Sequence, residues 1–284
     1  MARLRISLFL VLAATLLLAG TCSGATSLGR GASYLLARQQ SDGGFAEPGA
    51  SSSAGLTAWA VLGLAAVGRA PAQAQAVADY LERAPVPQAT DLELRLLAEA
   101  ALGRNTSQLA DALERLRQPG GRIGPAFNST YWGTIALRAA GRIPGNTTVR
   151  YILRVQHKNG GWSWSLHAAP DAGDTAAAIQ ALRAGGASAR STPIKRGVRF
   201  LRRCQNKDGG FGVAPGSISD AQSTAWAIQA LLAARTEPGK AAFLYLKKLQ
   251  RRDGSFRYNA RYVTTPTWVT AQVLCALARK PFPF

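Results

Sequence analysis

One phrase recurs along this chain, and it constrains the fold more than any other feature. Arg30-Gly31, Tyr34-Leu35, Gln39 and Gly43-Gly44-Phe45 return as Arg196-Gly197, Phe200-Leu201, Gln205 and Gly209-Gly210-Phe211. They return again as Lys240-Ala241, Tyr245-Leu246, Gln250 and Gly254-Ser255-Phe256, while Tyr151-Ile152, Gln156 and Gly160-Gly161-Trp162 form a copy without the basic-small pair. Each copy precedes a Thr that opens an Ala-rich apolar run: Thr57, Thr175, Thr224 and Thr270. Thr90 and Thr130 mark two further units whose first halves are worn down near Tyr80 and Gln118. Repetition at this period signals a unit that cannot bury its apolar face alone and stacks on its neighbours.

The local chemistry predicts the unit. A first helix ends at a glycine pair free to take positive φ, an aromatic plugs the turn, and a second helix opens at a Thr, Ser or Asp cap. Six such hairpins of constant curvature can close into a ring. The grammar resembles the repeat of squalene and oxidosqualene cyclases over about residues 28 to 280. That resemblance implies an all-α fold, the six-hairpin α/α toroid shared with protein prenyltransferase β subunits, filling residues 26–284 as one domain.

Aligning the second helices on their Thr separates two faces. Four and seven residues later stand Val61 and Leu64, Leu94 and Leu97, Thr134 and Leu137, Ile179 and Leu182, Ile228 and Leu231, Leu274 and Leu277. At 100° per residue these share a side, expected to pack on the outer helices. Two and five residues after the Thr stand Trp59, Trp132 and Trp226, with Gln180, Gln229, Gln272, Arg95 and Cys275, which are expected to face the lumen as its ligand-binding lining. All second helices of such a ring point the same way. Their N-termini therefore gather on one rim, a seat for an anionic head above an apolar cavity. A lumen simply filled by its own side chains is the alternative.

Catalytic candidates are few. Asp171-Ala172-Gly173-Asp174-Thr175-Ala176 is similar to the Asp-x-Asp-Asp-Thr-Ala segment of class II terpene cyclases, with Gly173 where the family's proton-donating central aspartic acid stands. Asp171 and Asp174 are thus candidate acids or helix caps, and Asp171 recurs in place as Asp220, each four residues before its Thr. Glu99 is a third candidate, set against an ion pair with Arg95 four positions earlier. Protein prenyltransferases hold zinc with Asp, Cys and His, but Val273 and Arg202 stand where an Asp would precede Cys275 and Cys204, so no metal site and no cofactor are expected.

The N-terminus runs from Arg3 and Arg5 through an apolar stretch, Leu8 to Ala19, into small residues at Ser23-Gly24-Ala25, a signal-peptide layout with cleavage expected after Ala25. The formal charge is +19 overall, and losing Arg3 and Arg5 with the leader leaves +17. A secreted polycation suits an anionic envelope component or an anionic-headed small molecule, and no nucleic-acid module accompanies the charge. The expected function is binding of an apolar isoprenoid- or lipid-like ligand in a Trp-lined lumen. The alternatives are a terpene cyclase or mutase-type isomerase with a degenerate Asp motif, and a repeat scaffold for anionic wall or protein partners. No membrane span is expected in the mature chain.

Overall fold

A computed structural model describes residues 26–284; the expected leader, residues 1–25, lies outside the described residues. Among the described residues twelve helices follow one another as six hairpins: α1 (Ser27–Leu36) with α2 (Ala54–Ala66), α3 (Ala74–Arg83) with α4 (Ala89–Ala101), α5 (Ser107–Arg115) with α6 (Phe127–Ala139), α7 (Asn146–Arg154) with α8 (Ala172–Ala184), α9 (Thr192–Arg203) with α10 (Ala221–Ala233), and α11 (Lys240–Lys248) with α12 (Pro266–Leu277). The even-numbered helices pack side by side in order, α12 returning to α2, so the inner ring is closed. Outer helices sit in the grooves between inner ones, α9 on α8 and α10, α1 on α12 and α2. The chain is the all-α toroid that the repeats predicted.

Each letter of the repeated phrase has a structural job. The small residue of the basic-small pair makes room for the aliphatic stripe: a Cβ on Gly31 would lie 2.8 Å from Leu274, and one on Gly197 3.0 Å from Ile179. Ile179 and Leu274 are fully buried, as expected of a stripe facing the outer helices. The glutamine clamps the turn to the next outer helix. Gln156 Nε2 donates to the carbonyls of Gly160 (2.8 Å) and Pro193 (2.9 Å), and Gln250 Nε2 to those of Gly254 (3.1 Å) and Ser27 (2.8 Å). The last bond joins repeat six to repeat one.

The glycine has a tighter duty than ending a helix. α1 stops at Leu36, well before Gly43, and the glycine instead forms a tight turn at positive φ, +91° in Gly43, Gly160 and Gly254. There it lies against backbone of the next outer helix, Gly43 on Ala76, Gly160 on Arg196 and Gly254 on Arg30, where any Cβ would collide. These positions need glycine both for the left-handed conformation and for the close approach.

The Thr is likewise not a cap. It is the fourth residue of its helix, or the fifth in α12, and its Oγ1 accepts the backbone N–H of the turn aromatic: Phe45 on Thr57 (2.8 Å), Trp162 on Thr175 (2.9 Å), Phe211 on Thr224 (2.8 Å) and Phe256 on Thr270 (3.0 Å). The worn third repeat keeps the bond, Ile123 N–H to Thr130 at 3.0 Å. The caps proper are Ser53, Asp171 and Asp220, each accepting from the N–H three residues on.

Candidate functional site at the mouth of the ring

The three tryptophans do converge on the axis, but they pack rather than frame a pore. Trp132 and Trp226 stand edge to face at 4.9 Å between centroids, and Trp59 lies 5.8 Å from each. Trp268, which the sequence comparison passed over, joins at 6.0 Å from Trp59. Phe282, from the segment after α12, meets Trp132 at 5.8 Å and Trp59 at 6.0 Å. Offset and edge-on pairs at these separations are attractive in their own right. The middle of the lumen is therefore filled.

Two expected ligand-binding glutamines serve that filling. Gln180 Oε1 accepts the N–H of Phe282 at 2.8 Å, and Gln229 Nε2 donates to the carbonyl of Lys280 at 2.9 Å. Gln272 is buried with neither amide atom paired among the described residues. Cys275 is buried, its thiol against the Ala271 carbonyl at 3.5 Å, and Cys204 and Cys275 form no disulfide among the described residues.

Arg95 and Glu99 are not in the lumen. In the 13-residue inner helices the Thr is the fourth residue, and in α4 that place belongs to Leu92, not Thr90. Two residues of misregister rotate the assignment by about 200°. Arg95 therefore reaches outward, donating to the Glu82 carbonyl (3.3 Å) at the end of α3 and pairing with Glu99 at 2.8 Å. Both line an outer groove with Asn105 and Gln108 of the next hairpin. The ion pair weighed for Glu99 is present, and its candidacy as a lumen acid ends there.

Open space lies at the rim formed by the inner-helix N-termini. A cavity of about 280 Å³ between the starts of α6, α8 and α10 is lined by Trp132, Trp226, Asp171, Asp174, Ser223 and Tyr258, among others. The loops build its walls: the Val213 carbonyl accepts from Ala172 N–H (2.8 Å) and the Tyr258 carbonyl from Ala221 N–H (2.7 Å), so each loop leans over the preceding inner helix. Asp171 caps α8 through the Asp174 N–H at 2.8 Å. Asp174 follows in the first turn. Its carboxyl is pushed up to about 8, first by burial and then by the negative charge of Asp171, to which it hydrogen-bonds. At neutral pH it is a proton-bearing group. Burial also raises Asp220, against the bonds from Ser223 that lower it. The buried indole N–H of Trp226 has no acceptor among the described residues.

This chemistry differs from the anion seat expected of the rim. Helix N-termini favour negative charge, but here the carboxyls of Asp171, Asp174 and Asp220 already stand there, and burial, which makes further negative charge costly, pushes Asp174 up to about 8 and raises Asp220. The mouth offers carboxyl groups and aromatic faces, with the unpaired indole N–H of Trp226 buried behind them. A neutral hydroxyl, both donor and acceptor, satisfies that set.

The prenyltransferase alpha-alpha toroid domain model matches residues 4–91 and 92–193, together more than half of the chain, and the squalene-hopene cyclase C-terminal domain model matches residues 144–270. Among solved structures, a type II terpene cyclase from Scytonema is similar at 20% identity and a TM-score of 0.64, covering 89% of this chain and 96% of that one. The same cyclase has been solved with its substrate, geranylgeranyl dihydroxybenzoate. A protein from Actinoplanes matches at 21% identity, a TM-score of 0.66 and coverage of 89% and 98%. Protein geranylgeranyltransferase-I of Candida albicans, complexed with GGPP, matches at 14% identity, a TM-score of 0.58 and coverage of 79% and 83%. These identities speak to the fold. Comparison with curated protein sequences finds no match.

Proposed function

This chain belongs to the prenyltransferase and squalene cyclase α/α-toroid family, and we propose that it binds an apolar isoprenoid-like molecule at the mouth of the ring through a neutral polar end such as a hydroxyl. The observation that carries the reading is the 280 Å³ cavity in which the proton-bearing Asp174 stands beside Asp171 and an aromatic wall of Trp132, Trp226 and Tyr258. The apolar body lies against Trp132, Trp226 and Tyr258, and the hydroxyl exchanges hydrogen bonds with the Asp171–Asp174 pair. Pockets for small molecules start at about 300 Å³, so the mouth suits a short chain. A diphosphate would set several negative charges beside Asp171 and is disfavoured.

A second reading, acid-initiated isomerisation or cyclisation, draws on the same pair: Asp174 holds a proton above Trp faces suited to a developing cation. A carboxyl pushed up to about 8 is a weak acid, however, and Gly173 occupies the place of the family's central aspartic acid. Binding is therefore the primary assignment. The +17 mature charge and the leader-like N-terminus support placement outside the cytoplasm, which N-terminal sequencing of secreted protein would test.

Native mass spectrometry with farnesol and farnesyl diphosphate, in ordinary and in deuterated buffer, separates the readings. Retention of unchanged farnesol in preference to the diphosphate supports the binder. A product carrying one carbon-bound deuterium supports the acid, and preferential retention of the diphosphate contradicts both.

A further inference from the structure

The far end of the lumen is closed by the chain itself. After α12 the backbone turns inward at the rim opposite the mouth, fixed by the Gln229 bond to the Lys280 carbonyl and the Gln180 bond to the Phe282 N–H. Both glutamines stand in the third turn of their helices, deeper than the Trp layer. Phe282 is 5% exposed and abuts Trp59 and Trp132, while Phe284 stacks under it at 4.9 Å and is 40% exposed. From mouth to far rim the order is cavity, indole layer, Phe282, Phe284, solvent. The indoles that form the floor of the mouth thus rest on Phe282, and without it they have room to swing back along the axis.

We propose that residues 280–284 are an internal stop that fixes how deep an apolar chain can enter the ring, with Phe282 the residue that selects chain length. Two inner-wall amides hold this segment by its backbone, as they would hold a ligand's polar atoms. The arrangement spends the inner lumen on the chain's own side chains and leaves only the mouth for a guest. The inference rests on the mouth admitting an isoprenoid chain, but the stop itself can be read without that assumption.

The test titrates geraniol, farnesol and geranylgeraniol into the wild-type protein and Phe282→Ala, with N-phenyl-1-naphthylamine as an unrelated apolar fluorescent probe and circular dichroism as a check on folding. Wild type should bind geraniol best, and Phe282→Ala should shift the geranylgeraniol-to-geraniol preference by at least about tenfold, the weight of 1.4 kcal/mol. A folded Phe282→Ala with an unchanged preference overturns the proposal. Should neither protein bind any of the alcohols, the ligand class proposed above fails. The stop is then judged on the naphthylamine alone, where brighter emission with the variant supports it and equal emission overturns it. If Phe282→Ala does not fold, Gln180→Ala combined with Gln229→Ala releases the segment without touching the aromatic layer, and the same readings apply.

Discussion

Asp174→Asn isolates the proton held at the mouth. Asp174 is pushed up to about 8 in the folded chain, chiefly by burial, whereas an unfolded Asp titrates near ~3.9. Between those values the folded state binds one more proton than the unfolded state, so stability falls as pH rises, by about 1.4 kcal/mol per pH unit, and levels off above the folded value. Across the whole window the loss has an upper bound of about 6 kcal/mol. Asparagine keeps the shape and can still donate to Asp171, but it cannot ionise. The two proteins should therefore be close in stability near pH 4.5, and Asp174→Asn should be the more stable by several kcal/mol near pH 8.5. Chemical denaturation of both at a series of pH values measures this, with other titrations cancelling in the difference. Parallel stability curves would show that Asp174 ionises freely and would remove the proton-bearing mouth from the account.

Three further perturbations probe the frame. Glu93 is buried with neither carboxyl oxygen paired among the described residues, and burial holds it well above the usual carboxylate range; Glu93→Met should raise stability by about 1–3 kcal/mol at pH 8 and by less at about pH 3, below the ordinary Glu value, where the carboxyl is neutral in both states. Thr224→Val orphans the buried Phe211 N–H and should cost about 1–3 kcal/mol in denaturant unfolding. Gly254→Ala meets both the left-handed backbone and the Arg30 carbonyl across the repeat-six to repeat-one seam, while Gly68, also at positive φ, has open space around it. The first should cost about 2–6 kcal/mol and Gly68→Ala only about 1–3, compared by thermal unfolding.

The ring was legible because its units repeat, so each position is read several times over. Phe45, Trp162, Phe211 and Phe256 announced one turn, and the glutamine and glycine beside them proved to be the clamp and the contact that join neighbouring repeats. A feature present in a single copy has no such redundancy. In α4 the nearest Thr lies two residues from the structural position, so a register based on Thr90 puts Arg95 and Glu99 inside, whereas they face out. The Trp stripe pointed to the axis, yet no periodicity reveals how four indoles pack once they meet, and Trp268 and Phe282 entered from outside the alignment. Packing of that density also changes how the lumen can be probed. Trp132→Ala or Trp226→Ala would open a cavity costing about 3–5 kcal/mol, so Trp226→Phe, which removes the free N–H and keeps the bulk, is the cleaner substitution. The acid pair was visible as Asp171 and Asp174, but its proton follows from burial between α6, α8 and α10, which only the closed ring supplies.

A crystal structure of the protein with farnesol tests the central claim most directly. The account predicts the hydroxyl within hydrogen-bond distance of the Asp171–Asp174 pair, with the chain against Trp132, Trp226 and Tyr258 and Phe282 still seated. Farnesol bound on the outer surface, or a mouth that stays empty at saturating ligand, would contradict it.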